Sequence, residues 1–142
     1  MAEGNGAVFN NAKELLLLKE IDLVDDELKM ILVTGWTPTV DGEITYTTFA
    51  GVTEESGTGY TAGGATVASK TVTQDDANNV AYLDAVDVTW TGLSVGTPGY
   101  AVLYDNTHAS KPAICYWEIG TTASNGSDYK LVFNASGIFR QA

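Results

Sequence analysis

Hydrophobic residues recur at helical spacing only near the beginning of the chain. When successive residues are placed about 100° apart, the apolar ones share one face: Val8, Phe9, Ala12, Leu15 and Leu16. The pattern predicts a helix over residues 8–20, with Asn11 as the N-cap residue and Glu14 completing a capping box. Leu17 falls on the polar face, so it is either a tolerated surface leucine or a residue that a partner covers.

From residue 28 onward, hydrophobic residues alternate with polar ones or run continuously, as they do in β-strands. The segments with this pattern are residues 28–34, 44–47, 66–73, 80–83, 86–91, 100–104, 113–119, 129–133 and 138–140. The first is apolar on both faces at its end, which predicts a central, buried strand. Short strands with frequent turn signals predict a mainly β fold, an antiparallel β-sandwich or barrel-like domain with one short N-terminal helix. We expect strands over more than half of the residues outside the helix, with Trp90, Leu103 and Trp117 in the core.

Two loops carry aromatic residues that we consider for contact with a partner. Residues 56–64 contain four of the chain's 15 glycines, with Tyr60 at their centre. Glycine adopts backbone conformations that other residues avoid, so this stretch predicts a shaped loop that presents Tyr60. A phosphate-binding loop is excluded, because no Lys-Ser/Thr pair closes the stretch and no helical pattern follows. Trp36 lies in a second loop, where it either caps the core or stands at an interface.

Length and charge limit the classes of protein that fit. The 142 residues suit a single domain over residues 1–142, with an N-terminal arm and helix at 1–20 and a β-domain at 27–142. The net charge is -11, and the seven Lys and Arg residues form no cluster, which argues against nucleic acid as a partner. We expect neither a signal peptide nor contact with a membrane, because the sequence has no basic segment followed by an apolar run and no long apolar stretch.

No pattern of nucleophile, base or paired acids indicates an enzyme. His108 is the only histidine, and we interpret it as a mobile surface imidazole, since no nucleophile elbow accompanies it. A glycosidase would need two carboxyls across a cleft, for which Asp84, Asp87 and Glu118 are the candidates. Acids are frequent in this chain, so their proximity in sequence is weak support. We therefore predict no catalytic residue and no enzymatic activity.

Metal and cofactor chemistry is also unsupported by residue spacing. Asp22, Asp25 and Asp26 lack the spacing and the distal Glu of a calcium loop, and we interpret them as a solvated turn. Cys115 is the only cysteine, which excludes an internal disulfide and a thiolate cluster. It alternates with Trp117 on an apolar face, as a small buried hydrophobe does. No metal or cofactor is predicted.

Short motifs follow one another in a recognisable order along nearly the whole chain. They are residues 19–23 (KEIDL), 28–32 (LKMIL), the glycine loop at 56–64, 78–81 (NNVA), 87–90 (DVTW), 100–104 (YAVLY) and 133–138 (FNASGI). This order resembles that of a family of small structural proteins of tailed bacteriophages, which are found among virion genes and are similar to capsid decoration, or cement, proteins. The resemblance brings no site chemistry with it.

The resemblance implies a non-enzymatic virion protein on the exterior of the capsid. Such a protein would bind the major capsid protein, form a homo-oligomer, with a trimer favoured, and stabilise the expanded head. The candidate contact residues in this chain are Phe9, Leu17, Trp36 and Tyr60, and we also expect residues 1–9 to contact a neighbouring chain. The alternative is a head-fibre, neck or tail-associated module that binds host-surface glycans by stacking sugars on Trp36, Tyr60 or Tyr104.

Overall fold

The computed structural model describes residues 6–120 and 124–141. Within them the chain is mainly β, with antiparallel strand pairs, a sandwich-like arrangement and one short α-helix, so the predicted fold class is confirmed. The strands are shorter than expected: 35% of the described residues are strand, which is less than the predicted half of the residues outside the helix. Long turns occupy the difference.

In chain order the elements are β1 (Gly6–Val8), α1 (Asn10–Leu17), β2 (Leu28–Val33), a 3₁₀-helix (Tyr46–Thr48), β3 (Ala65–Thr66), β4 (Thr71–Asp75), β5 (Val80–Asp84), β6 (Val88–Trp90), β7 (Tyr100–Asp105), β8 (Ala113–Glu118), β9 (Tyr129–Leu131) and β10 (Phe139–Gln141). Five strands form the main sheet in the order β1-β8-β7-β2-β3. A second sheet has the order β10-β5-β4, and β6 pairs with β9 alone. The main sheet therefore contains the first three strands of the chain and two later ones, β7 and β8.

The core lies against β2, β7 and β8. Strand β2 pairs with β7 from Leu28–Asp105 to Val33–Tyr100, and it is buried at five of its six positions. A strand with apolar residues on both faces is stable only when both faces are covered, as the sequence indicated. Trp90, Leu103 and Trp117 are all buried, which confirms their predicted place in the core.

The N-terminal region differs from the prediction in two ways. Residues 6–8 are not a separate arm, because they form β1 and pair with β8. The helix ends at Leu17 because Lys19 adopts a left-handed conformation with φ 63°, and its N–H donates to the Leu16 carbonyl while that of Glu20 donates to the Leu15 carbonyl. These are the two hydrogen bonds of a Schellman motif. Phe9 occupies the N-cap position with no side-chain cap, so the predicted capping box at Asn11 is wrong.

Two predicted strands are also corrected. Residues 44–47 contribute only an isolated bridge between Thr45 and Pro112, after which the chain forms the 3₁₀-helix. Residues 66–73 are divided between β3 and β4, which belong to different sheets. Ser69 lies between them with φ 54°, a left-handed conformation that interrupts an extended strand.

Candidate interaction surface

The four residues predicted to contact a partner lie in different environments. Phe9 is fully buried within its own chain. Trp36 and Tyr60 are half-buried, and Leu17 leaves 86% of its surface exposed. Phe9 is thus a core residue, which corrects its selection as a contact residue. Contact between Leu17 and a partner stays a prediction.

Trp36 belongs to a cluster of aromatic rings at one end of the main sheet. Its ring lies 5.1–6.1 Å, between centroids, from those of four other residues: Phe9, Phe49, Tyr100 and Tyr116. Three of these contacts are edge-to-face, an arrangement that aromatic rings favour. Of the two interpretations of Trp36, the geometry supports a cap on the core.

The prediction that residues 1–9 contact a neighbouring chain falls partly on residues 1–5, which lie outside the described residues. Within the described part, residues 6–8 pair with β8, and the Phe9 N–H donates to the Ile114 carbonyl at 3.0 Å. A deletion of residues 1–9 would remove a strand and a core side chain. It would therefore change the fold as well as any contact between chains.

The glycine loop, residues 56–64, leaves and rejoins one edge of β2. Before the loop, Glu54 bridges Val33, and the Glu55 N–H donates to the Leu32 carbonyl at 2.9 Å. After the loop, Ala65 pairs with Met30. The loop is an excursion from a strand-like segment that runs antiparallel to β2.

Tyr60 points inward from this loop. Its hydroxyl takes the place of a backbone partner for strand β2. Its hydroxyl accepts a hydrogen bond from the Leu32 N–H at 3.2 Å and donates to the Glu54 carboxylate at 2.9 Å. Its ring stacks on Trp90, with centroids 6.5 Å apart and 19° between the planes. The loop does not present Tyr60 outward as expected, because the side chain satisfies a backbone N–H of β2 that would otherwise lack a partner.

The Glu54 carboxylate is the centre of a partly buried hydrogen-bond network. One oxygen accepts from the Tyr60 hydroxyl and from the Gly63 N–H at 2.7 Å, and the other accepts from the Tyr46 hydroxyl at 2.7 Å. Burial, followed by the hydrogen bond that Tyr46 donates to Glu54, raises the pKa of Tyr46 to about 12. The Tyr104 hydroxyl donates to the Gly63 carbonyl at 2.8 Å, and its ring stacks on that of Tyr46 at 4.7 Å. Sequence reasoning missed this network, since Tyr46 was assigned to a strand and Glu54 has no informative spacing.

Two glycines allow the loop to lie against the domain. A Cβ on Gly64 would overlap the Met30 carbonyl group of β2. A Cβ on Gly59 would lie 2.7 Å from the carbonyl oxygens of Thr91 and Gly92. Both glycines also have positive φ, 77° and 78°, which other residues rarely adopt. The glycine loop therefore has a structural role, because it packs closely against the backbone of the domain.

The most exposed large hydrophobic side chain among the described residues lies at the end of α1. Leu17 is 86% exposed and Leu18 57%, and we call these two residues the helix-end patch. Val24, in the turn that follows, is 44% exposed. The helix packs its other face against β8, through buried Ala12 among others. Sequence reasoning identified Leu17 but missed Leu18 and Val24. The run of four leucines at 15–18 was the signal for Leu18, whereas Val24 lay in a segment interpreted as a turn.

Two of the three acids considered for glycosidase chemistry, Asp87 and Asp84, make contacts within the domain. Asp87 accepts the Phe133 N–H at 2.8 Å and pairs with Lys130 at 3.2 Å. The Phe133 N–H, and then Lys130, hold the pKa of Asp87 below its usual value. A general acid needs a raised pKa. Asp84 accepts the N–H of Ala85 at 2.9 Å, and Glu118 is exposed.

His108 is held on both sides of its ring, which corrects its interpretation as a mobile side chain. One ring nitrogen lies 3.3 Å from the Glu20 carboxylate. The other lies 3.0 Å from the Ser110 hydroxyl and accepts the Ser110 N–H at 3.2 Å. The imidazole therefore joins the segment after α1 to the turn after β7.

Comparison with protein-family models, with curated proteins and with solved structures gives no match for this chain. In the part of the chain that the structure describes, no helix is long and apolar enough to span a membrane. The same residues contain no group of three His, Cys, Asp or Glu side chains arranged to hold a metal ion. A functional account must therefore depend on the motifs of the sequence and on the surface of the domain.

Proposed function

We propose that this chain is a non-enzymatic virion structural protein of a tailed bacteriophage. Specifically, it is a capsid decoration protein that binds the major capsid protein on the outer shell and stabilises the expanded head. The observation that carries the proposal is the helix-end patch, where Leu17 is 86% exposed, the highest value among the exposed large hydrophobic residues of the described chain. The order of motifs along the chain supports the same class of protein.

The exposed leucines lie at a position that a partner can reach. Leu17 and Leu18 protrude at the end of a helix whose opposite face is fixed to β8. Full burial of one leucine side chain is worth about 1.5 to 3 kcal/mol. A patch of this kind gives a decoration protein a modest affinity per copy, and the stabilisation of the shell adds up over the many copies bound.

The charge of the chain fits a place on the outside of the shell. Its net charge of -11 would oppose the phosphates of packaged DNA if the protein faced the interior. The same charge keeps free protein soluble before assembly. An acidic domain with exposed leucines at the end of its helix suits an exterior component.

The mechanism follows from linkage between binding and the state of the shell. A decoration protein contacts neighbouring capsid subunits, so its complete site exists only when these subunits reach their mature spacing. Binding that favours the expanded head stabilises that head by the difference in affinity between the two states. We place a homotrimer at local threefold positions, because three copies would present three patches to surrounding subunits.

The alternative, a module that binds host glycans, depended on aromatic rings that the fold uses for packing. Trp36 packs against four rings, Tyr60 stacks on Trp90, and Tyr104 is 1% exposed. Sugar-binding sites need an exposed ring face. We therefore keep glycan binding only as an outcome of the tests.

Labelling of intact virions tests the location. Antibodies against this chain should bind around the capsid of intact particles, visible by immunogold electron microscopy. Denatured particles, in which every epitope is exposed, are the control for antibody access. Labelling confined to the neck, fibres or tail would overturn the decoration role, and its absence from purified virions would overturn the whole proposal.

A further inference from the structure

Strand β4 forms an open edge of the second sheet. It lies at the end of the order β10-β5-β4, so β5 is its one strand partner among the described residues. With five residues it is also the longest strand at a sheet edge in that part of the chain. Apart from the ladder with β5, no described backbone hydrogen bond involves residues 71–75. Alternate N–H and C=O groups of β4 therefore face solvent, where another strand can pair with them.

This edge lacks the features that usually protect an open strand. Proteins block such edges with lysine, proline or a bulge, because an unblocked edge accepts a further strand. Residues 71–75 contain neither lysine nor proline, and their ladder with β5 is continuous. Four of the five residues are exposed. The charged residue of β4 is Asp75, and its carboxylate accepts hydrogen bonds from Asn78 in the adjoining turn.

Val72 supplies an apolar side chain at the same edge. It lies opposite Leu83 in the ladder, and opposed residues of an antiparallel pair share one face of the sheet. Leu83 is 1% exposed, whereas Val72 is 51% exposed. The core therefore ends one strand before the edge, and a strand added to β4 would cover more of Val72.

The sequence around β4 is complementary to itself when two copies pair antiparallel about Thr73. Within the strands, the opposed residues are Thr73 with Thr73, Thr71 with Asp75, and Val72 with Gln74. Just beyond the strands, Lys70 of each copy lies opposite Asp76 of the other, so opposite charges meet at both ends of the ladder. A twofold axis through the centre repeats every contact, as an interface between two identical surfaces requires.

The charges select this register over its neighbours. Opposed side chains must lie on the same face, so the twofold axis has to pass through a residue and not between two residues. A centre at Val72 would place Lys70 opposite Gln74, and a centre at Gln74 would place it opposite Asn78. Of these three registers, the one centred on Thr73 sets the lysine against an acid.

The two charged residues are available for this contact. The ion pairs among the described residues are His108–Glu20 and Lys130–Asp87, so neither Lys70 nor Asp76 takes part in one. Asp76 is exposed and accepts a hydrogen bond from the side chain of Gln74, which brings its carboxylate to the end of the strand.

We propose that β4 is a contact between two copies of this chain, which pair antiparallel about Thr73 and form one sheet of six strands, three from each copy. Each copy has a net charge of -11, so two copies repel each other and the pairing is weak in dilute solution. It strengthens where copies are held side by side, because their effective concentration is then high. The contact goes beyond the proposed function, since it concerns two copies of the isolated protein. In a trimeric decoration protein it would join copies of neighbouring trimers.

Cysteine crosslinking of the isolated protein tests the register. Thr73→Cys places two thiols opposite each other, with Cβ atoms about 4.5 to 5.5 Å apart, near the spacing of a disulfide. Thr71→Cys is the matched control, an exposed threonine on the same face of the same strand. The pairing holds the two copies of residue 71 four positions apart, roughly 13 Å along the strand. The native Cys115 is buried and does not compete.

Both variants are oxidised with diamide at a chain concentration of about 1 mM, in the range that linked modules experience. Covalent dimers are measured over time on non-reducing gels. Thr73→Cys should form dimers about tenfold faster than Thr71→Cys or more, because only its thiols meet disulfide geometry. Equal rates, or no dimer from Thr73→Cys, would overturn the proposal.

Charge reversal in the Thr73→Cys background tests the ends of the ladder. Lys70→Glu and Asp76→Lys each set like charges against each other, so each should slow crosslinking. A mixture of the two variants should restore it, because each copy then supplies the charge that the other needs. Glu118→Lys, at an exposed acid on β8, is the control for net charge and should not slow crosslinking. The proposal fails if the mixture reacts no faster than the separate variants, or if Asp76→Lys behaves like Glu118→Lys.

Discussion

Tyr60 joins three parts of the molecule through one hydroxyl group. The hydroxyl accepts from the Leu32 N–H and donates to the Glu54 carboxylate, while the ring lies on Trp90. A donor or acceptor that is buried and then loses its partner costs about 1 to 3 kcal/mol. The hydroxyl of Tyr60 therefore contributes to the stability of the domain.

Tyr60→Phe should lower the free energy of unfolding by about 1 to 3 kcal/mol, because it leaves the Leu32 N–H and one Glu54 oxygen short of a partner. Urea denaturation followed by tryptophan fluorescence measures the change. Tyr82→Phe, at a half-buried tyrosine of β5 outside this network, is the control and should change stability less. Equal effects of the two substitutions would contradict the role assigned to the hydroxyl.

Tyr46 makes the stability of the fold sensitive to high pH. Its pKa is raised from 10.0 to about 12 in the folded protein, so between these values the folded state holds a proton that the unfolded state has lost. The contribution is complete below pH 10 and is lost as the pH rises through about 12. The free energy of unfolding should therefore fall across this interval, and Tyr46→Phe should flatten the decline. An unchanged slope in the variant would show that Tyr46 does not contribute.

At the scale of elements, the glycine loop depends on close contact between backbones. Gly64 passes so near the Met30 carbonyl of β2 that a methyl group cannot fit, whereas Gly51 has a similar φ of 70° and open space around it. Replacing each of these two glycines by alanine therefore separates the cost of a positive φ from the cost of a steric clash. The loop should need glycine at position 64 for both reasons.

Gly51→Ala should cost about 1 kcal/mol, which is the strain of a left-handed conformation. Gly64→Ala should cost clearly more, because the alanine methyl group also displaces a strand that lies in the core. Denaturant unfolding of both variants measures the difference. Equal losses would mean that the loop moves away from β2 without cost.

The periodicity of the sequence predicted the elements whose burial follows from their own residues. Residues 28–34 and 100–104 were identified because continuous apolar runs need cover on both faces. Strand β1 was missed, since three residues carry no periodic signal and gain their structure only by pairing with β8. The inward direction of Tyr60 was also missed, because it depends on a backbone N–H of β2 that no local pattern reveals.

At the scale of the whole molecule, the helix-end patch is the feature that the fold leaves unexplained. Its leucines are exposed although the remaining face of α1 is packed on β8. The sequence indicated Leu17, because one apolar residue on a polar helix face is visible from spacing alone.

Leu17→Glu should leave the fold intact and weaken binding to the shell. Exposed positions usually change stability by less than about 0.5 kcal/mol. If the side chain is buried on binding, the affinity for capsids should fall roughly tenfold to a hundredfold. Val52→Glu is the control at another exposed position, since Val52 is 76% exposed. Equal affinities for the two variants would place the contact elsewhere on the surface.

The most direct test of the proposed function is binding to heads in both states of the shell. Purified protein is mixed with compact precursor heads and with expanded heads, the particles are pelleted, and the bound fraction is measured across salt concentrations. We expect preferential binding to expanded heads, with Leu17→Glu showing the larger loss there. Equal binding to the two kinds of head would contradict the state-dependent mechanism, and binding to neither would contradict the decoration role itself.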